Sequence, residues 1–129
     1  MTISPNLKQI LLVDDDELSL KILSKYLDEA QYTYIICKDG QLAWNYLQHH
    51  HNKFFVVLSD RVMPHLHGLQ LLAQMKVKKL NIPLILFSGE ASKEEICEAL
   101  AQGVYDFFYK PISKELLLAL LRKIERQFL

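Results

Sequence analysis

Apolar residues fall into two alternating patterns along the chain. Ile10–Val13, Phe54–Leu58 and Leu84–Phe87 are continuously apolar and stop at polar residues, which predicts strands buried on both faces. Tyr34–Cys37 and Phe107–Tyr109 predict two further strands. Between them apolar residues recur every three or four positions, the spacing of a helix with one buried face. Leu20, Leu23, Leu27 and Ala30 mark one such helix; Leu42, Ala43, Tyr46 and Leu47 a second; Leu69, Leu72 and Met75 a third. Leu117, Leu120, Leu121, Ile124 and Phe128 mark the last, leaving Leu118 and Leu129 outside its stripe. Asp16 and Ser113 are suitable helix N-caps. Ser92 with Glu95 three residues later forms a capping-box signature for a helix through Leu100, with Gly103 as its terminator. Strict alternation of strand and helix predicts an α/β fold: a parallel sheet with helices on both faces and right-handed crossovers.

Composition narrows the class without naming a chemistry. At 129 residues the chain is expected to form a single domain, 1–129. Fifteen basic residues balance fifteen acidic ones, which argues against general attraction to nucleic acid or an anionic membrane. No apolar run approaches the length of a membrane span, and the N-terminal residues lack a signal-peptide pattern, so a cytoplasmic protein is expected. Cys37 and Cys97 have no metal-ligand spacing and are expected to be small buried hydrophobes. His49, His50 and His51, between a helix and a strand, are expected in a solvated loop.

In an open parallel sheet, ligands bind beyond the carboxyl ends of the strands. The residues there are Asp14, Asp15, Asp16 and Glu17 after the first strand, and Ser59 and Asp60 after the third. Ser88, Gly89 and Glu90 follow the fourth strand, and Lys110 and Pro111 the fifth. Carboxylates gathered at one edge repel unless one is protonated or a cation lies between them. Mg²⁺ suits a site with few protein ligands and room for water and phosphate. Lys110 adds a positive charge and Ser88 a hydroxyl donor. A carboxylate nucleophile, charge neutralisation and positioned donors are what phosphoryl transfer needs.

These residues carry a family resemblance. Leu12-Val13-Asp14-Asp15, Leu58-Ser59-Asp60-Arg61-Val62-Met63-Pro64 with Gly68, Phe87-Ser88-Gly89, and Ala101-Gln102-Gly103 leading to Tyr109-Lys110-Pro111 resemble the receiver domain of two-component response regulators. The resemblance implies a flavodoxin-like doubly wound (βα)5 fold with five parallel strands in the order 2-1-3-4-5. It implies that Asp60 accepts a phosphoryl group from a sensor histidine kinase or histidine phosphotransfer domain. Mg²⁺ would be held by Asp15, by Asp60, by the backbone carbonyl of Val62 and, through water, by Asp14. Lys110, in a cis peptide with Pro111, and Ser88 would contact the phosphoryl group. Phe107 would be the aromatic switch, and the output surface would be formed by the fourth helix, fifth strand and fifth helix. His67, Ser88 and Phe107 stand where aspartate, threonine and tyrosine are frequent, and an apolar Val62 implies slower reaction with water or small phosphodonors.

Two other readings differ in class. A haloacid-dehalogenase-type phosphatase would use Asp14 and Asp16 as its acidic pair, but Leu18 replaces the small hydroxyl residue expected there and no acidic pair follows Lys110. A receiver-like binding module would keep the fold without phosphorylation. On the receiver reading the protein is a signalling phosphoacceptor rather than an enzyme, apart from slow autodephosphorylation. It would contact no nucleic acid or membrane directly. The chain is either a stand-alone regulator or part of a longer protein. Leu118, with Phe108 or Tyr109, is the candidate surface for a partner or a phosphorylation-dependent homodimer.

Overall fold

A computed structural model describes residues 9–128. The elements run β1 (Gln9–Val13), α1 (Glu17–Glu29), β2 (Tyr34–Cys37), α2 (Gly40–His50), β3 (Phe54–Asp60), α3 (Gly68–Val77), β4 (Leu84–Ser88), α4 (Lys93–Ala101), β5 (Asp106–Tyr109) and α5 (Lys114–Phe128). All strand pairs are parallel, in the order β2-β1-β3-β4-β5. This is the doubly wound sheet the alternation predicts. β3 and β4 run beyond their apolar residues to include Asp60 and Ser88, so both polar residues stand on the last rung of a buried strand.

Alternation of side chains along each strand divides the core into two layers. Ile10, Leu12, Leu58, Ile85 and Phe87 pack with Leu20, Leu23 and Leu27 of α1 and Leu117, Leu120, Leu121 and Ile124 of α5. Leu11, Val13, Val57, Leu84 and Leu86 pack with Ala43, Trp44 and Leu47 of α2, Leu71, Leu72 and Met75 of α3, and Ala99 of α4. The β1–β3 register slips between Gln9 and Ile10, whose partners are Phe54 and Val56. The skipped residue, Phe55, joins Val56 in the first layer, a break in the two-residue period made by the irregularity.

The helix ends follow their predicted caps. The Asp16 side chain accepts from the Leu18 N–H, and Ser113 Oγ accepts from the Leu116 N–H at 3.1 Å. Both capping-box bonds at α4 form: Ser92 Oγ accepts from Glu95 N–H at 3.1 Å, and Glu95 Oε1 from Ser92 N–H at 2.8 Å. Gly103, at φ +106°, ends α4 in a conformation that a side chain would strain.

Several expectations fail at the surface. Leu118 is buried in the first layer, and Leu116 is the α5 leucine turned to solvent, at 48% exposure. Phe128 and Leu42, assigned to core stripes, are exposed. In each case the apolar arc on the helix is wide, and which edge of it meets the sheet depends on a docking angle that spacing leaves open. Cys97 is exposed and Cys37 only half-buried, and both thiols are free. His49 and His50 complete α2 and His51 opens a 3-10 turn (His51–Lys53), so the run is not a simple loop. Leu129 lies outside the described residues.

Candidate functional site

The carboxyl ends of β1, β3, β4 and β5 bring Asp14, Asp15, Asp60, Ser88 and Lys110 to one edge of the sheet. Register makes the convergence exact to a residue: Val13 pairs with Ser59, Asp60 with Phe87, and Ser88 with Tyr109. One step past those rungs lie Asp14 and Lys110.

Carboxylate oxygens of Asp14, Asp15 and Asp60 lie within 4.8 Å of one another. Asp14 is buried, Asp60 partly buried and Asp15 exposed. Asp14 is held at both oxygens: Oδ1 accepts from the Asp16 N–H at 3.0 Å, and Oδ2 from Lys110 Nζ at 2.9 Å. Lys110 Nζ is also 3.4 Å from Asp60 Oδ2 and bridges the two carboxylates. Its peptide bond to Pro111 is cis, as the resemblance implies. Burial, then the charge of Asp14, raise the pKa of Asp60 against the pull of Lys110. For Lys110, burial favours the neutral amine, but Asp14 and then Asp60 outweigh it and raise its pKa. Three carboxylates therefore face one ammonium. The donors are all oxygen and partly open to solvent, which suits a hard divalent cation such as Mg²⁺.

Ser88 and Phe107 stand beside this cluster in different arrangements. Ser88 Oγ is buried and engaged away from Asp60: it donates to the Glu90 carbonyl at 2.5 Å and accepts from the Glu90 N–H at 3.1 Å. Phe107 is partly buried against the second core layer, and its ring meets that of Tyr109 edge-on at 6.1 Å. Val62 lies in the loop after Asp60 with its side chain 53% exposed.

The structure adds contacts the sequence reading did not give, at Arg61, His67 and Tyr109. Arg61, next to Asp60, reaches Ser88, Glu90 and Glu95. His67 closes the loop before α3: its Nδ1 accepts from the Met63 N–H at 3.2 Å, and its own N–H donates to Gln70 Oε1 at 2.8 Å. Tyr109 donates its hydroxyl to the Ala91 carbonyl at 2.8 Å, so a hydroxyl absent from Phe107 occurs two residues on. The reach of Arg61 across two loops had no signal in the sequence. Gly68 allows α3 to start against the site, since a Cβ there would lie 2.5 Å from Leu86 Cδ2 and 2.9 Å from the Asp60 carbonyl oxygen.

Comparison with known proteins agrees with this geometry. The response regulator receiver domain family matches residues 10–122. Over 117 residues the chain is 37% identical to the 3',5'-cyclic-nucleotide phosphodiesterase regA of Dictyostelium discoideum, covering 88% of this chain and 15% of that protein. It is 33% identical over 111 residues to the two-component response regulator ARR14 of Arabidopsis thaliana, covering 86% of this chain and 29% of that protein. The chain thus spans less than a third of the length of these curated relatives. Among solved structures, the receiver domain of the Francisella response regulator 1452 superposes with a TM-score of 0.85 at 26% identity, covering 93% of this chain and 98% of that one. Among the described residues no helix is long and apolar enough to cross a membrane. The chain belongs to the response regulator receiver domain family.

Proposed function

We propose that Asp60 is the phosphoacceptor, that Asp14, Asp15, Asp60 and the Val62 carbonyl hold Mg²⁺, and that Lys110 and Ser88 bind the transferred group. The observation that carries this reading is the cluster of three carboxylates at the carboxyl edge of the sheet, two of them, Asp14 and Asp60, bridged by Lys110. An Asp60 carboxylate oxygen forms the new P–O bond as the P–N bond of a phosphohistidine breaks, and the leaving imidazole takes up a proton. Mg²⁺, when bound, offsets the charge of the carboxylates and the incoming phosphoryl oxygens. Lys110 transfers part of its contact from Asp14 and Asp60 to the phosphoryl group. Asp14 keeps the Asp16 N–H and so retains its orientation when Lys110 moves. Ser88 gives up the Glu90 carbonyl to donate to a phosphoryl oxygen, and Phe107 turns into the space that this vacates. The surface of α4, β5 and α5 then shifts between two existing arrangements.

Residues 1–129 are one receiver unit on this reading, a signalling phosphoacceptor whose chemistry is self-directed and slow. Its donor is a sensor histidine kinase or histidine phosphotransfer domain in the cytoplasm. An apolar groove of about 360 Å³ beside Lys110, lined by Leu18, Ile22, Pro111 and Ile112, is the surface on which such a donor docks. Leu18, 65% exposed at its rim, gives that docking an apolar anchor. The exposed apolar residues for a homodimer are Leu116 and Tyr109 rather than Leu118.

The test is incubation with Mg²⁺ and either beryllofluoride or acetyl phosphate, followed by amide chemical shifts. The wild type is expected to shift around Ser88 and Phe107, and Asp60→Asn to show no change. An equal response in Asp60→Asn, or none in the wild type, rejects the assignment.

A further inference from the structure

Arg61 makes three contacts from the loop after β3, and all of them fall on residues 88–95. Nε reaches Ser88 Oγ at 3.5 Å, Nη2 the Glu90 carbonyl at 3.4 Å, and Nη1 Glu95 Oε2 at 3.2 Å. The backbone beneath is fixed as well, since the Arg61 N–H donates to the Phe87 carbonyl at 2.8 Å. The guanidinium side chain is only 25% exposed. Its planar fork presents several donors in fixed directions, which a single ammonium would not reproduce.

Ser88 is the group this arrangement constrains. A hydroxyl has one proton to donate, and Ser88 gives it to the Glu90 carbonyl. Its oxygen accepts from Glu90 N–H and faces Arg61 Nε. To donate to a phosphoryl oxygen, Ser88 must leave the Glu90 carbonyl, and the turn that Arg61 grips must rearrange. Glu95 anchors the other end: Oε1 takes the Ser92 N–H of the capping box and Oε2 takes Arg61. The same guanidinium therefore links the withdrawn Ser88 to the first turn of α4.

We propose that Arg61 is a positioning residue: by gripping Ser88, Glu90 and Glu95 it holds the hydroxyl and the start of α4 in the resting arrangement. It thereby opposes the phosphoryl-bound one. This rests on the reading of Asp60 as phosphoacceptor. Charge alone predicts the reverse for Arg61, because removing a cation beside an anionic adduct weakens that adduct. The direction of the effect therefore separates the two.

The experiment is a titration of the full chain with beryllofluoride in saturating Mg²⁺, followed by amide shifts. It compares wild type, Arg61→Ala, Arg61→Lys, Glu95→Gln and the Arg61→Ala/Glu95→Gln double variant. Arg61→Lys keeps the charge and loses the fork, and it is expected to bind beryllofluoride about two- to five-fold more tightly, the scale of a partly exposed ion pair. Arg61→Ala and Glu95→Gln are expected to tighten binding too, and the double variant no more than Arg61→Ala alone, because both substitutions open one latch. A residue that merely supports the fold would weaken binding when replaced. Unchanged or weaker binding by both Arg61 variants overturns the latch, as do additive effects in the double variant. A wild type that takes up no beryllofluoride overturns the phosphoacceptor reading and the latch together, whereas normal uptake with unaltered Arg61 variants overturns the latch alone.

Discussion

Asp60 sits partly buried beside Asp14, and burial and that neighbour's charge disfavour its ionised form more than Lys110 favours it. The cost falls on folding stability, and on the proposed phosphoacceptor reading it follows from where the nucleophile must stand: near other carboxylates, at the rim of a hydrophobic sheet. Replacing Asp60 with Asn removes one of three like charges and keeps the shape. In metal-free buffer at neutral pH, Asp60→Asn is expected to be more stable than wild type by roughly 1 kcal/mol, the scale of a like-charge contact at a partly buried site. Urea unfolding in EDTA checks this, and a variant less stable than wild type would show that the Lys110 contact outweighs the repulsion. Lys110 answers differently. Among the described residues it is the one ammonium touching both Asp14 and Asp60, so Lys110→Met is expected to destabilise the metal-free protein by about 3 kcal/mol, the cost of leaving a buried carboxylate unpaired. The same unfolding curves report it.

At the scale of elements, the sheet edge was legible because each polar residue followed an apolar run directly or, for Asp60, one residue after it. Asp14, Asp60, Ser88 and Lys110 could be placed at strand ends by counting, and parallel register then brings them together. Helix faces were less legible. The α5 sequence Leu116-Leu117-Leu118 offers three adjacent leucines; spacing places Leu117 in the core, but cannot say that Leu118 joins it while Leu116 faces water. Side-chain reach was not legible at all: Arg61 meets Glu95 across 34 residues of sequence, and no local pattern marks the pair. Caps, by contrast, are local hydrogen bonds and were readable at Asp16, Ser92 and Ser113. The α4 cap has a consequence beyond stability. α4 is nine residues long, with Ala99 its one buried residue, so little packing holds it. Ser92→Ala is expected to cost about 1 kcal/mol of stability. Hydrogen exchange checks where the loss falls: faster exchange confined to α4 is the expected result, because a weakly packed helix opens locally before the sheet does.

For the molecule as a whole, two core layers hold a sheet whose one edge is electrostatically strained, so the fold is stable and its site is not at rest. Three carboxylates beside one ammonium leave an excess of negative charge that a bound cation can neutralise at neutral pH without protonating a carboxylate. A cation that binds the folded site and not the unfolded chain must stabilise the fold by mass action, by about 2.7 kcal/mol at a hundred times its dissociation constant. Mg²⁺ is therefore expected to raise the unfolding midpoint in a concentration-dependent way, and EDTA to reverse it. Asp15 isolates this effect from the fold. Asp15 is exposed and belongs to neither core layer, and solvent screens its share of the repulsion, so Asp15→Asn should leave the metal-free midpoint unchanged or slightly raised. It removes a donor from the set, so the Mg²⁺-dependent gain should largely disappear. Thermal melts of both proteins, with and without Mg²⁺, measure all four states of this cycle. An Asp15→Asn protein that gains as much from Mg²⁺ as wild type would place the cation elsewhere, whereas a lost gain over an unchanged or slightly raised metal-free midpoint ties the excess charge of the sheet edge to metal binding.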